Sequence, residues 1–138
     1  MSDIVTLRGL TTVSFWAADL EGAKKWYAEL LGIDPYFERP GYAEFRLGDY
    51  QQELGLIDSR YAPDGSVASP AGAVVYWHVD DMTSTFKKLL SMGAKEYEAP
   101  TERGEGFITA SVIDPFGNIL GIMYNQHYLD VLSLTRKA

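Results

Sequence analysis

A chain of 138 residues with 46% hydrophobic residues has the make-up of one globular domain able to bury its own core. Its formal net charge of −7 argues against nucleic acid, whose binders carry a basic footprint, and its lack of cysteine excludes disulfides, Cys-zinc sites and thiol catalysis. No apolar run approaches the roughly 20 residues of a membrane span, and residues 1–5 show no basic region ahead of an apolar one. The expectation is a single cytoplasmic domain over residues 1–138, with neither nucleic acid nor membrane as partner.

From residue 12 the chain alternates. Val13, Phe15 and Ala17 are set against Thr12, Ser14 and Trp16, the period of a half-buried strand over 12–18. Asp19 is placed as an N-cap, its carboxylate accepting from open backbone N–H groups. Leu20, Ala23, Tyr27, Leu30 and Leu31 then share one helical face. Gly32 can take the left-handed conformation that ends the helix, and Pro35 prevents its resumption. Strands are predicted near 36–39, 42–47 and 50–57, broken by Pro40-Gly41 and Gly48-Asp49. Residues 58–72, rich in Pro, Gly, Ser and Ala, read as a linker.

The second half repeats the first. A strand over 73–79 leads to Asp80 or Asp81 as the cap. Met82, Phe86, Leu89 and Leu90 mark the apolar helical face, and Gly93 is the stop. Strands follow near 95–98, 107–113 and 118–124, the last two joined by the turn Asp114-Pro115-Phe116-Gly117. The tail over 127–138 has some apolar character and is expected to cover an edge or reach a partner subunit. Two alignments of the repeat compete: one pairs Trp16 with Trp77 and Gly32 with Gly93, the other Leu20 with Met82 and Lys25 with Lys87.

Each half is thus β-α-β-β-β. The fold class is α+β, two βαβββ modules over about 10–58 and 73–126. Together they are expected to form a curved eight-stranded mixed sheet with helices on its convex face. Val13, Phe15, Ala17, Val75, Trp77 and Val79 belong under the helices. Thr12, Ser14, Trp16, Val74, Tyr76 and His78 belong on the concave side.

Several segments carry this pattern closely: Asp19-Leu20-Glu21 through Trp26-Tyr27 to Leu30-Leu31-Gly32, Glu53-Leu54, Val79-Asp80 through Met92-Gly93, and Asp114-Pro115-Phe116-Gly117-Asn118. In these the chain resembles the vicinal oxygen chelate superfamily, which includes glyoxalase I, extradiol dioxygenases, and fosfomycin and bleomycin resistance proteins. Enzymes of that superfamily commonly hold a divalent metal with His or Gln on the first strand, Glu on the fourth, His on the fifth and Glu on the eighth. Carried over, those places fall on Thr12, Glu53, Val74 and Gly121. One of the four is a good ligand, and a one-residue slip supplies no other. The expectation is that neither a metal nor any other cofactor is bound. The resemblance also implies a homodimer.

Glu53 is the sharpest candidate that remains: it can accept a bond from a ligand, pair with a cation, act as a base, or be a carboxylate satisfied by Ser14, Tyr76, Arg46 or water. His78 shares its face with Val74 and is either an acid–base group or a strand-end histidine bonded to its neighbours. Trp16, Tyr76 and Met123, with Thr12 and Ser14, read as pocket lining or as ordinary core. Arg46 orients Glu53, meets a ligand or forms a solvated ion pair. Gly104-Glu105-Gly106 opens no helix and is no nucleotide fingerprint. The resulting expectation is a metal-independent protein binding an aromatic or cationic small molecule, with Thr12, Ser14, Trp16, Arg46, Glu53, Val74, Tyr76, His78, Gly121 and Met123 in contact. The alternative is a lyase or isomerase with Glu53 or His78 as acid–base catalyst. A metal-dependent glyoxalase or dioxygenase stands third.

Overall fold

The computed structural model describes residues 5–63, 70 and 72–135. The chain divides into two compact units, Met1–Tyr61 and Ala62–Ala138, with the division inside the stretch read as a linker. The first unit runs β1 (Thr12–Ala17), α1 (Leu20–Leu31), β2 (Phe37–Arg39), β3 (Tyr42–Leu47), β4 (Gln52–Asp58) and one 3-10 turn (Ser59–Tyr61). The second runs β5 (Tyr76–His78), α2 (Met82–Ser91), β6 (Lys95–Gly104), β7 (Phe107–Ile113), β8 (Ile119–Asn125) and α3 (Gln126–Thr135). Each unit builds a four-stranded mixed sheet, ordered β1-β4-β3-β2 in the first and β5-β8-β7-β6 in the second. The fold is α+β and made of two βαβββ modules.

In both units the strand that enters the helix lies parallel to the last strand of the module, and the remaining pairs are antiparallel. A parallel pair needs a long crossover, and the helix plus hairpin supplies it.

Asp19 caps α1 by accepting from Gly22 N, and Asp81 caps α2 by accepting from Ser84 N. Asp81 is therefore the counterpart of Asp19. Gly32 ends α1 at φ +70, and Gly93 follows α2 at φ +96. The two competing alignments are each correct at one end of the helix, because α2 reaches its glycine one residue sooner. Trp16 and Trp77, by contrast, are not counterparts. Trp77 is paired with buried Ile122 on the face that α2 covers, whereas Trp16 alternates with buried Phe15 and Ala17 and so lies on the face away from α1.

The core of unit one comprises Phe15, Ala17, Ala43, Phe45, Leu54 and Leu56 from the sheet, with Ala23 and Tyr27 from α1. In unit two Ala110, Val112, Leu120 and Ile122 meet Met82, Phe86 and Leu89. Leu90, expected on the buried face, is 38% exposed, so α2 buries a narrower stripe. A fully buried Leu or Phe contributes roughly 1.5–3 kcal/mol, against about 0–1 for a surface ion pair. The apolar face thus holds each sheet, and the opposite face is released for polar groups.

Three elements differ from expectation. β5 is three residues long. β6 extends to Gly104 and forms a hairpin with β7 across Glu105-Gly106, with register shifts along its length. The tail forms α3, where Asn125 Oδ1 accepts from Tyr128 N at 3.1 Å.

The β7–β8 turn is built on a buried carboxylate. Asp114, 3% exposed, accepts from Phe116 N at 2.9 Å and Asn118 N at 2.8 Å through Oδ1, and from Asn118 Nδ2 at 3.2 Å through Oδ2. Asp114→Ala strands these buried donors and is expected to lower stability by about 2 kcal/mol or more in urea unfolding. Asp114→Asn, which keeps one acceptor oxygen, costs less.

Candidate functional site

The face of sheet one away from α1 carries a continuous polar chain set by register. Thr12 on β1 stands opposite Glu53 on β4, and Glu53 opposite Arg46 on β3. Thr12 Oγ1 donates to Glu53 Oε1 at 2.6 Å. Arg46 lies between two carboxylates, 3.7 Å from Glu53 Oε2 and 3.8 Å from Glu44 Oε2, and its guanidinium stacks 3.9 Å above the ring of Tyr36. Tyr42 donates its hydroxyl to Glu44 Oε1 at 2.6 Å. The order along the face is Thr12, Glu53, Arg46, Glu44, Tyr42.

Glycine makes room for this chain. Gly55 sits between Ser14 and Glu44 in the ladder, and a Cβ there would come within 3.0 Å of the Tyr42 hydroxyl. Burial holds the Tyr42 phenol up at about 12, assisted by its bond to Glu44 and by the charges of Glu44 and Glu53. With two carboxylates to one guanidinium, the face has a net negative charge and two tyrosine rings. The long Arg46 distances are ion-pair contacts rather than hydrogen bonds. Glu53 Oε2 therefore retains acceptor capacity toward an N–H or O–H group brought to it.

On sheet two, Tyr76 pairs with Gly121, and His78 with Met123. His78 is enclosed, its side chain 8% exposed. Its Nδ1 accepts from Asn125 N at 3.1 Å and its Nε2 lies 3.1 Å from Asp80 Oδ1. The ring stacks on Tyr128, with centroids 4.9 Å apart. This network assigns the Nε2–H tautomer: Nδ1 holds the end of β8 at the start of α3, and Nε2 holds the loop ahead of α2, so this is a strand-end histidine bonded to its neighbours. Val74 lies ahead of β5. Tyr76 is 37% exposed and Met123 half-buried. In unit one Ser14 is exposed and Trp16 half-buried.

Register changes the correspondence between the halves. With Asp19 and Asp81 equated, the rung Ser14–Gly55–Glu44 matches Tyr76–Gly121–Ser111. The counterpart of Glu53 on β8 is then Ile119, two residues before Gly121.

These places do not fit a divalent cation. Glu53 is engaged by the Thr12 hydroxyl and paired with Arg46, and one carboxylate does not make up the donor set a divalent metal needs. Val74 and Ile119 have no donor atoms in their side chains. At Gly121, a Cβ would meet the Val75 carbonyl oxygen at 2.7 Å and the Tyr76 ring at 2.8 Å. Among the described residues no three of His, Asp and Glu gather as a metal cluster. None of the helices among the described residues is long and apolar enough to cross a membrane.

The sequence alternation puts Glu44 on the side of Arg46, with Arg46 turned toward Glu53, but sequence reasoning did not bring Tyr36 or Tyr42 into the same chain. The alternation Tyr42, Glu44, Arg46 was the signal for Tyr42. The stacking of Tyr36 depends on a loop path that no periodicity encodes.

Fold and residue pattern together define a duplicated βαβββ protein, and comparison places it. The family model for the Glyoxalase/Bleomycin resistance protein/Dioxygenase superfamily matches residues 9–122. The chain belongs to this superfamily. Its fold is similar to a glyoxalase-related enzyme from Fulvimarina pelagi, at 19% identity and TM-score 0.69, covering 87% of this chain and 90% of that one. It is also similar to a lactoylglutathione lyase from Agrobacterium tumefaciens, at 18% identity and TM-score 0.66, covering 89% and 98%. A superfamily member from Sphaerobacter thermophilus gives 18% identity and TM-score 0.68, covering 85% and 97%. At these identities the likeness is one of fold. No curated protein matches the chain in sequence.

The Tyr42–Glu44 bond has a titration signature. The folded phenol keeps its proton to about 12, against 10.0 ordinarily. The stabilisation this represents is complete below about pH 10 and is lost as pH rises through 12. Ultraviolet titration of the phenols is expected to show a final step near pH 12 that Tyr42→Phe removes and Glu44→Gln moves downward.

Proposed function

We propose that the chain is a metal-independent small-molecule-binding protein whose ligand is an aromatic cation taken on the face of sheet one away from α1. The observation that carries this reading is the placing of Glu44 and Glu53 on either side of a single guanidinium, beside the rings of Tyr36 and Tyr42. The uncompensated carboxylate charge favours a cation, the rings favour a flat apolar body, and Glu53 Oε2 supplies the directional contact. Thr12 fixes the Glu53 rotamer through its 2.6 Å bond, Arg46 restrains the other oxygen, and Ser14 and Trp16 flank the rung. In unit two Val74, Tyr76, Gly121 and Met123 offer an apolar face, and His78 serves to hold it. The protein acts in the cytoplasm, as a homodimer. The donor set at Thr12, Glu53, Val74 and Gly121 supports binding ahead of metal-assisted turnover.

Tryptamine is a suitable probe. Titration followed by amide chemical shifts is expected to move residues of β1, β3 and β4, with Glu53→Gln weakening affinity by about tenfold or more, the value of a lost charge-assisted bond. Equal affinity in Glu53→Gln would remove the reading. Stoichiometric metal in purified protein, abolished by Glu53→Ala, would overturn its metal-independent part.

A further inference from the structure

Among the described residues, one buried side-chain polar atom has no hydrogen-bond partner: Ser111 Oγ, on a residue 1% exposed. A buried hydroxyl without a partner forgoes about 1–3 kcal/mol, so its surroundings matter. In the ladder of sheet two Ser111 stands between Glu98 on β6 and Gly121 on β8, and Gly121 stands between Ser111 and Tyr76 on β5. The Tyr76 ring lies across Gly121, with Cδ1 and Cε1 2.8 and 3.1 Å from the point a Cβ would occupy. One edge of the ring thus lies over Gly121, the ladder neighbour of Ser111. Its own hydroxyl makes no hydrogen bond among the described residues, and 37% of Tyr76 is exposed.

The unpaired Ser111 hydroxyl therefore stands in the ladder beside a glycine floor that an aromatic ring covers. The flanking residues on β8 are Ile119 and Met123, two places before and after Gly121. Water is a poor occupant of such a place, since a buried water needs two to four polar partners and, among the described residues, Ser111 Oγ is the one buried side-chain polar atom left unpaired. An occupant that completes the site brings a flat apolar body, a contact for the Met123 thioether, and a single polar atom at its end.

We infer that the Gly121 floor of sheet two is a slot for a monocyclic phenol, which displaces the Tyr76 ring outward and hydrogen-bonds to Ser111 through its hydroxyl. Tyr76 is the plug of this slot, itself a phenol of the right width but tethered where its hydroxyl does not pair with Ser111. The inference rests on reading the chain as a small-molecule binder. It concerns the other sheet and an uncharged ligand, and it adds Ser111 to the apolar face already formed there by Tyr76, Gly121 and Met123.

The probe is p-cresol, with toluene as its counterpart lacking the hydroxyl. Tyr76→Ala vacates the slot. It is expected to bind p-cresol more tightly than the wild type does, because the plug no longer competes, and about tenfold more tightly than toluene, the value of one paired hydroxyl. Adding Ser111→Ala to Tyr76→Ala is expected to erase that preference while leaving toluene binding in place. Amide shifts on p-cresol addition should centre on Ser111 and Gly121. If Tyr76→Ala fails to fold by circular dichroism, Tyr76→Leu is read in its place. In the wild-type background Ser111→Ala is expected to leave the melting temperature unchanged or raised, since it deletes an unpaired hydroxyl.

Equal binding of p-cresol and toluene, no binding of either by the folded plug variant, or a lowered melting temperature in Ser111→Ala would each overturn the inference. Tryptamine binding that persists through these failures, and still responds to Glu53→Gln, would leave the sheet-one reading standing. Loss of the Glu53 effect with the p-cresol preference intact would do the reverse.

Discussion

The parallel pairing of each module's first strand with its last is the constraint on which the chemistry of both sheets depends. In unit one it sets Thr12 against Glu53, and in unit two it sets Tyr76 against Gly121. Because side chains alternate with period two, this register decides which residues go under the helix and which face away from it. The apolar sets confirm the choice: Phe15, Leu54, Leu56 and Phe45 are buried against α1, while Ala110, Val112, Leu120 and Ile122 lie under α2. Shifting either first strand by one residue would bury Ser14 or Tyr76 and expose the core, at a cost of several kcal/mol.

From this common rule the two modules have diverged in opposite directions. Unit one fills the face of its sheet away from α1 with ionic and hydroxyl groups joined in a row, and places a glycine under Tyr42 so that the row can close. Unit two fills the matching rungs with Tyr76, Gly121 and Ser111, where a ring takes the space a carboxylate would need. A glycine under a tyrosine ring recurs at Gly55 and Gly121. Beside the capping aspartates, the duplication has therefore kept this backbone device where the side-chain chemistry of the two sheets has changed.

Much of this was legible in the sequence because it is local. Asp19, Asp81, Gly32 and Gly93 mark helix ends by their own hydrogen bonds or backbone angles, and the alternation in β1, β3 and β7 shows which side is buried. Partnership across strands was less legible. That Thr12 rather than Ser14 bonds Glu53, and that Gly121 answers to Gly55 rather than Glu53, depends on register between segments some forty residues apart. Trp16 and Trp77 show the same dependence: identical residues one step out of phase lie on opposite faces, as their alternation with apolar neighbours indicates. α3 had only the Asn125 cap and a weakly apolar face to announce it, and its attachment to the sheet comes through the stacking of Tyr128 on His78.

The long outer strand of sheet two has a consequence for how this chain meets other molecules. All ten residues of β6 are exposed; they include Lys95, Glu96, Glu98, Glu102 and Arg103, carry Pro100 in their midst, and are interrupted by register shifts. A proline lacks the donor that a new neighbour would need, charges oppose dehydration of the edge, and irregular pairing twists the strand away from a flat template. The other edge, β5, offers three residues. Sheet two is thus guarded against growing by strand addition, the route by which half-exposed sheets polymerise into fibres, and contacts with it are directed onto its broad surfaces.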